Sequence, residues 1–117
     1  MNIREQLNSN PQNPYNMNQS IEILNRFEKY LEQKGYSAVT PSGLKSTCYD
    51  YSHKRIPAVC DRERISVPIL IKNIDKFISK YDEFGSEAEF GNKSHRSVIN
   101  ALKRFKEFAE STYFNHK

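Results

Sequence analysis

Basic and hydrogen-bonding side chains are concentrated near the C-terminal end of this 117-residue sequence. Four of these side chains recur at steps of three, four and three residues, so they would lie on one face of a helix over a length of about 15 Å. The four are Lys93, Arg96, Asn100 and Lys103. Ser94, His95 and Arg104 lie beside that face. Ammonium and guanidinium groups neutralise phosphates, and hydroxyl and amide groups donate hydrogen bonds to them. The pattern therefore favours binding of a polyanion, and the alternative is a solvated face whose lysines only maintain solubility.

A second basic cluster comprises His53, Lys54 and Arg55, and Arg62 and Arg64 follow shortly after it. Cations in the last turn of a helix complement the helix macrodipole, so a structural explanation suffices for the first three. If the fold places this cluster beside the last helix, Lys54 and Arg55 would extend the same basic surface.

The charge of the chain is unevenly distributed. The net charge is +4 and the isoelectric point is about 9.1. Residues 93–117 contain six basic and two acidic side chains, whereas residues 67–92 contain three basic and five acidic ones. The C-terminal segment thus carries a net charge equal to that of the whole chain, which makes it the first candidate for contact with an acidic partner.

Other chemistries have little support in the residue pattern. Cys48, His53 and Cys60, with His95 or His116 as a fourth ligand, lack the CxxC or HxxxH pairs that zinc sites usually show. The acidic stretch 82–90 lacks the ligand spacing of a calcium loop. No nucleophile elbow, phosphate loop or metalloprotease motif occurs. We therefore expect no catalytic residues, no metal, no cofactor and no small-molecule substrate.

Four amphipathic helices must position the basic residues. Apolar residues at helical spacing and local start and stop signals predict helices at 21–34, 41–52, 67–84 and 94–113. Ser20, Thr40 followed by Pro41, and Ser66 are the predicted N-terminal caps, and Gly35 and Gly85 the predicted stops. The fold class predicted is all-α, a compact bundle of four main helices.

The domain organisation is predicted to be simple. Residues 1–19 include the Asn- and Pro-rich stretch 8–14 and read as a flexible, partly disordered N-terminal arm, and residues 20–117 as one helical bundle domain. No apolar run has the roughly 20 residues that a membrane helix needs. No apolar leader is visible at the N-terminus, so we expect a cytoplasmic protein with free thiols at its two cysteines.

Two segments carry a family resemblance. The stretch from Arg26 to Ser37, with the sequence RFEKYLEQKGYS, resembles the opening helix of the SAM-like core-binding domain of tyrosine recombinases and phage integrases, in which a helix started by Thr follows, as at Thr40. The stretch from Ser97 to Phe108 is similar to the last helix of that domain. The resemblance covers about residues 20–113 and implies a four-helix clamp on the backbone of duplex DNA, used in DNA recombination. The catalytic domain of that family is absent from these 117 residues.

The leading hypothesis is thus a non-catalytic DNA-binding domain that contacts duplex DNA through the C-terminal basic residues, with Lys54 and Arg55 in support. Neutralising about four phosphates predicts a log–log salt slope of roughly −3.6. Whether the chain begins a longer recombinase or nuclease stays open. One alternative is a small protein-interaction module, such as a phage- or plasmid-type inhibitor, whose basic face binds an acidic protein. Another is an accessory subunit that homodimerises through exposed aromatic residues such as Phe84, Phe90 and Phe114.

Overall fold

Every regular element that the structure describes is helical. The computed structural model describes residues 17–39, 41–43 and 46–111. Four main helical bodies pack into one bundle, so the predicted all-α fold is confirmed. Residues 1–16 of the predicted arm lie outside the described ranges, and the last three residues of that arm belong to the first helix.

Helix α1 spans Met17–Gln33 and starts four residues before the predicted position. Its predicted apolar stripe is buried and comprises Ile23, Leu24, Phe27, Tyr30 and Leu31. Gly35 has a positive φ of 96°, and its N–H donates to the carbonyl oxygen of Glu32 at 3.1 Å. The predicted left-handed stop at Gly35 is confirmed, because that conformation is open to glycine at little cost.

The second helical body differs from its prediction at both ends. Residues 41–43 form an exposed turn, Thr40 lies outside the described ranges, and the helix starts only at Thr47. The chain then runs through α2 (Thr47–Asp50), a π-helical turn (Tyr51–Arg55) and α3 (Ile56–Glu63).

Pro57 does not end this second body as predicted, because it lies in the first turn of α3. Proline has no N–H to donate to the carbonyl four residues earlier. In the π turn the N–H of Ile56 donates instead to the backbone carbonyl oxygen of Tyr51, which lies five residues earlier. The wider turn thus accommodates the missing donor within a nearly continuous helix.

The third predicted helix is divided into α4 (Val67–Lys72) and α5 (Ile74–Tyr81). The hydroxyl of Ser66 accepts a hydrogen bond from the N–H of Ile69 at 3.3 Å, which confirms the predicted cap. At the break, the side-chain amide of Asn73 donates to the carbonyl oxygen of Ile69 at 3.0 Å. Such a side chain competes with the backbone ladder, which explains why one apolar stripe is carried by two helices.

The chain after Tyr81 reaches the last helix through a tight turn and the short helix α6 (Ala88–Gly91), which replaces the predicted acidic loop. Helix α7 (Lys93–Glu110) follows, and the extended backbone at Ser111 ends it three residues short of the prediction. Its inner face is buried at Val98, Ile99, Ala101, Leu102, Phe105, Phe108 and Ala109. The ring centroids of Phe27 and Phe105 are 4.8 Å apart, and this aromatic contact joins α1 to α7.

Gly91 of α6 packs directly against the backbone at the end of α5. A Cβ atom at this position would overlap the backbone carbonyl oxygen of Tyr81. We therefore expect Gly91→Ala to lower the free energy of unfolding by about 1–3 kcal/mol, because the backbone must shift to admit a methyl group. Chemical denaturation measures the effect, with Ser79→Ala on the exposed face of α5 as the control. Equal stability of the two variants would contradict the close packing.

Candidate nucleic-acid interface

The second predicted basic cluster lines a polar groove of about 350 Å³ between the π turn and α7, to which the last helix contributes Ser97. The residues that line it are Ser46, Thr47, Tyr49, Asp50, Tyr51, Lys54, Arg55 and Ser97. Lys54 and Arg55 therefore lie beside the last helix, whereas none of the predicted cations of that helix lines the groove.

Lys54 and Arg55 differ in their surroundings. Lys54 is exposed and has no carboxylate partner among the described residues. The Nε of Arg55 donates to the Oδ2 of Asp50 at 2.8 Å. This pair, together with Lys54, leaves the groove with a net charge of +1.

Hydroxyl groups complete the polar lining of the groove. The hydroxyl of Ser97 already donates to the carbonyl oxygen of Ser94 at 2.6 Å. The hydroxyls of Ser46 and Thr47 have no hydrogen-bond partner within the described ranges, and Ser46 makes no side-chain cap bond. These two groups are therefore the donors in the groove that an anion can recruit.

Asn100 and Arg104 bind tyrosine side chains and do not line the groove. Asn100 makes a side-chain hydrogen bond to Tyr51. Burial is the main cause that raises the pKa of Tyr51, and the bond from Asn100 offsets only part of this rise. Arg104 donates to the hydroxyl of Tyr36 at 3.3 Å and forms an ion pair with Glu107 at 2.7 Å. Both residues thus hold the aromatic wall that supports the π turn.

The predicted straight stripe from Lys93 to Lys103 is wrong at its first turn. Ser94, His95 and Arg96 have φ values of 52°, 58° and 66°, which is the left-handed conformation. Right-handed geometry begins at Ser97, so Lys93 lies outside the helical register and its Nζ instead lies 5.3 Å from the ring centroid of Phe90. Ser94 and His95 are exposed on this turn.

Asp82 binds two of the predicted DNA-contacting cations. Its Oδ1 lies 3.2 Å from Arg96 Nη2, and its Oδ2 lies 3.2 Å from Lys103 Nζ. The pKa of Asp82 is lowered, first by the hydrogen bond from the N–H of Glu83 and then by the bond from Lys103. We call this trio the Asp82 clamp. Its net charge is +1.

Two further cations near the interface are paired as well. Lys106 Nζ lies 2.7 Å from the Oδ1 of Asp75. Arg62 pairs with Glu87 at 2.5 Å and lies 4.3 Å from the ring centroid of Phe90. Exposed ion pairs of this kind contribute little to stability, so a phosphate can replace the carboxylate partner. They still reduce the net charge that the surface presents.

The described side chains that were considered as zinc ligands do not converge on one point. No three His, Cys, Asp or Glu side chains approach one point in the described part of the chain. Burial raises the pKa of the Cys48 thiol to about 11 and that of Cys60 to about 12. Cys48 donates to the carbonyl oxygen of Tyr36, and His53 lies 3.1 Å from Glu28. Protonated, buried thiols are poor metal ligands and poor nucleophiles.

Sequence reasoning missed Asp82 and the groove hydroxyls of Ser46 and Thr47. The partners of Asp82 lie 14 and 21 positions further along the chain, and local spacing does not report such contacts. Ser46 and Thr47 were hidden because the second helix was placed several residues too early. The polar run from Ser46 to Thr47 just before an apolar stripe is the signal that indicates the true helix start.

No family model, no curated protein and no solved structure matches this chain. None of the described helices is both long enough and apolar enough to cross a membrane.

The left-handed turn predicts an unusual response to glycine. Left-handed backbone costs a non-glycine residue about 1–2 kcal/mol. Allowing for the greater unfolded-state entropy of glycine, His95→Gly should raise the free energy of unfolding by about 0.5–1 kcal/mol. Lys29→Gly, at an exposed right-handed position of α1, should lower it by about 1 kcal/mol. Denaturation of both variants measures these signs, and a loss of stability in both would rule out the left-handed turn.

Proposed function

We propose that this chain is a non-catalytic DNA-binding helical module that contacts the backbone of duplex DNA. The observation that carries the proposal is the groove, which brings exposed Lys54, Arg55 and the hydroxyls of Ser46 and Thr47 beside the start of α7. Cations paired with hydroxyl donors are the usual partners of backbone phosphates. The resemblance of the first and last helices to those of an integrase core-binding domain agrees with this assignment.

Electrostatics determines how strongly such a module responds to salt. The groove and the Asp82 clamp each present a net charge of +1, so together they neutralise about two phosphates. Each neutralised phosphate adds about −0.9 to the log–log slope of affinity against salt. The proposal therefore gives a slope of about −1.8, half of the value expected for a ridge of unpaired cations.

The first test is a titration of a short labelled duplex, followed by fluorescence anisotropy between about 50 and 200 mM salt. Lys54→Glu should weaken binding about tenfold or more, since it removes a phosphate contact and adds a repulsive charge. Lys72→Glu makes the same charge change on α4, outside the groove, and should leave the affinity within about twofold. Binding that does not depend on salt, or equal effects of the two variants, would exclude the groove as the contact site.

The second test concerns the Asp82 clamp. Asp82→Asn removes one negative charge while keeping a side-chain oxygen for the N–H of Glu83. If Arg96 and Lys103 contact phosphates, this variant should bind the duplex more tightly, with a slope steeper by about 0.9. Glu22→Gln on α1 is the matched control and should leave both quantities unchanged. An unchanged slope in the Asp82 variant would remove Arg96 and Lys103 from the interface.

A further inference from the structure

Phe84 is a large apolar side chain exposed almost completely to solvent. Its relative exposure is 95%, whereas the other phenylalanine side chains in the described ranges belong to the core or pack against it. An exposed aromatic ring of this size is unfavourable in water unless it is covered in some state of the protein. A contact that buries Phe84 would remove this apolar area from water and would be stabilised by that burial.

The turn that carries Phe84 is tightly fixed. The N–H of Gly85 donates to the backbone carbonyl oxygen of Asp82 at 2.8 Å, and the N–H of Glu87 donates to that of Lys80 at 2.8 Å. A Cβ atom at position 85 would overlap the carbonyl oxygens of Ser79 and Lys80. The ring is thus held out by a rigid turn. Rigid presentation lowers the entropic cost of binding, as is typical of an anchor residue.

A largely apolar groove of about 290 Å³ lies at the other end of the second helical body. Its apolar lining comprises Ile21, Leu24, Pro57, Cys60, Ile65 and Val67. Ile21 is 49% exposed at this groove. The groove therefore has the chemistry of a receptor for an apolar side chain.

We propose that Phe84 of one copy inserts into this groove of a second copy, and that the exchange is reciprocal. Within one chain the ring is bare and the groove is open, so they do not fill each other. Exposed Glu83 neighbours the ring, and exposed Arg64, which has no carboxylate partner within the described ranges, neighbours Ile65 of the groove. These opposite charges can meet across the contact. A symmetric pair with both insertions closes on itself and does not polymerise.

The size of the contact makes the dimer weak. An aromatic side chain buries about 150–250 Å², and stable interfaces bury about 1,200 Å² or more. Each insertion buries the ring and a matching area of the groove, so two insertions cover about 600–1,000 Å², which is below that range. Asp61 also lines the groove and opposes Glu83, so apolar burial and not charge must dominate. Dimerisation should therefore change little with salt.

Sedimentation velocity across a concentration series up to about 1 mM tests the proposal. The wild type should dimerise reversibly, and Phe84→Ala and Ile21→Glu should each weaken the dimer at least tenfold. Both changed residues are exposed, so the melting temperatures of the monomers should be unchanged. Val39→Glu, at another exposed apolar position, is the control and should dimerise like the wild type.

Mixing the two variants gives the decisive result. Phe84→Ala retains an intact groove and Ile21→Glu an intact ring, so the mixture should form a heterodimer with one working insertion. A wild type that stays monomeric at the highest concentration overturns the proposal. So does a mixture without a heterodimer, which would indicate stacking of the two Phe84 rings, or an Ile21→Glu variant that dimerises normally.

Discussion

Burial of the inner face of α7 is the constraint on which the arrangement of the C-terminal basic residues depends. Its apolar positions are almost completely buried, and they fix the rotation of the helix about its axis. Once Leu102 and Phe105 point inward, Lys103 must lie towards Asp82 and Arg104 towards Tyr36. The positions of the cations are therefore consequences of core packing, and a small rotation of α7 would separate them from their partners.

The interleaving of carboxylates with cations determines what kind of binding this surface supports. Each exposed ion pair contributes little to folding, so the carboxylates are easily displaced. These carboxylates matter more for the electrostatic field outside the protein, because Asp50 cancels one positive charge in the groove and Asp82 cancels one in the Asp82 clamp. A surface of this type favours contacts that are local and easily exchanged over a strong, long-range attraction.

The sequence was a reliable guide wherever a regular helix buries one face. The apolar stripes of α1 and α7 and the caps at Ser66 and Gly35 followed from spacing alone, because they depend on residues within one or two turns. The sequence left the position of Lys54 and Arg55 beside the last helix as a condition, because it depends on how the helices pack.

Departures from regular helix were out of reach of the same reasoning. Whether Pro57 ends a helix or is accommodated by a π turn depends on the packing of the whole second body. The break at Asn73 turns on one side-chain rotamer. The left-handed turn before Ser97 contains no glycine that would indicate it. Phe84, which the sequence predicts to be exposed, was consequently assigned to the end of a helix, although the structure places it on a turn.

The two proposed contacts are linked through Asp82. Its backbone carbonyl accepts from Gly85 in the turn that presents Phe84, while its carboxylate holds Arg96 and Lys103. If phosphates take over those cations, the turn loses two of its attachments and Phe84 is held less rigidly. By reciprocity, a second copy that fixes the turn stabilises the clamp and weakens the hold on phosphate by the same factor. The two proposals together thus imply that association of the chains and binding of DNA oppose each other.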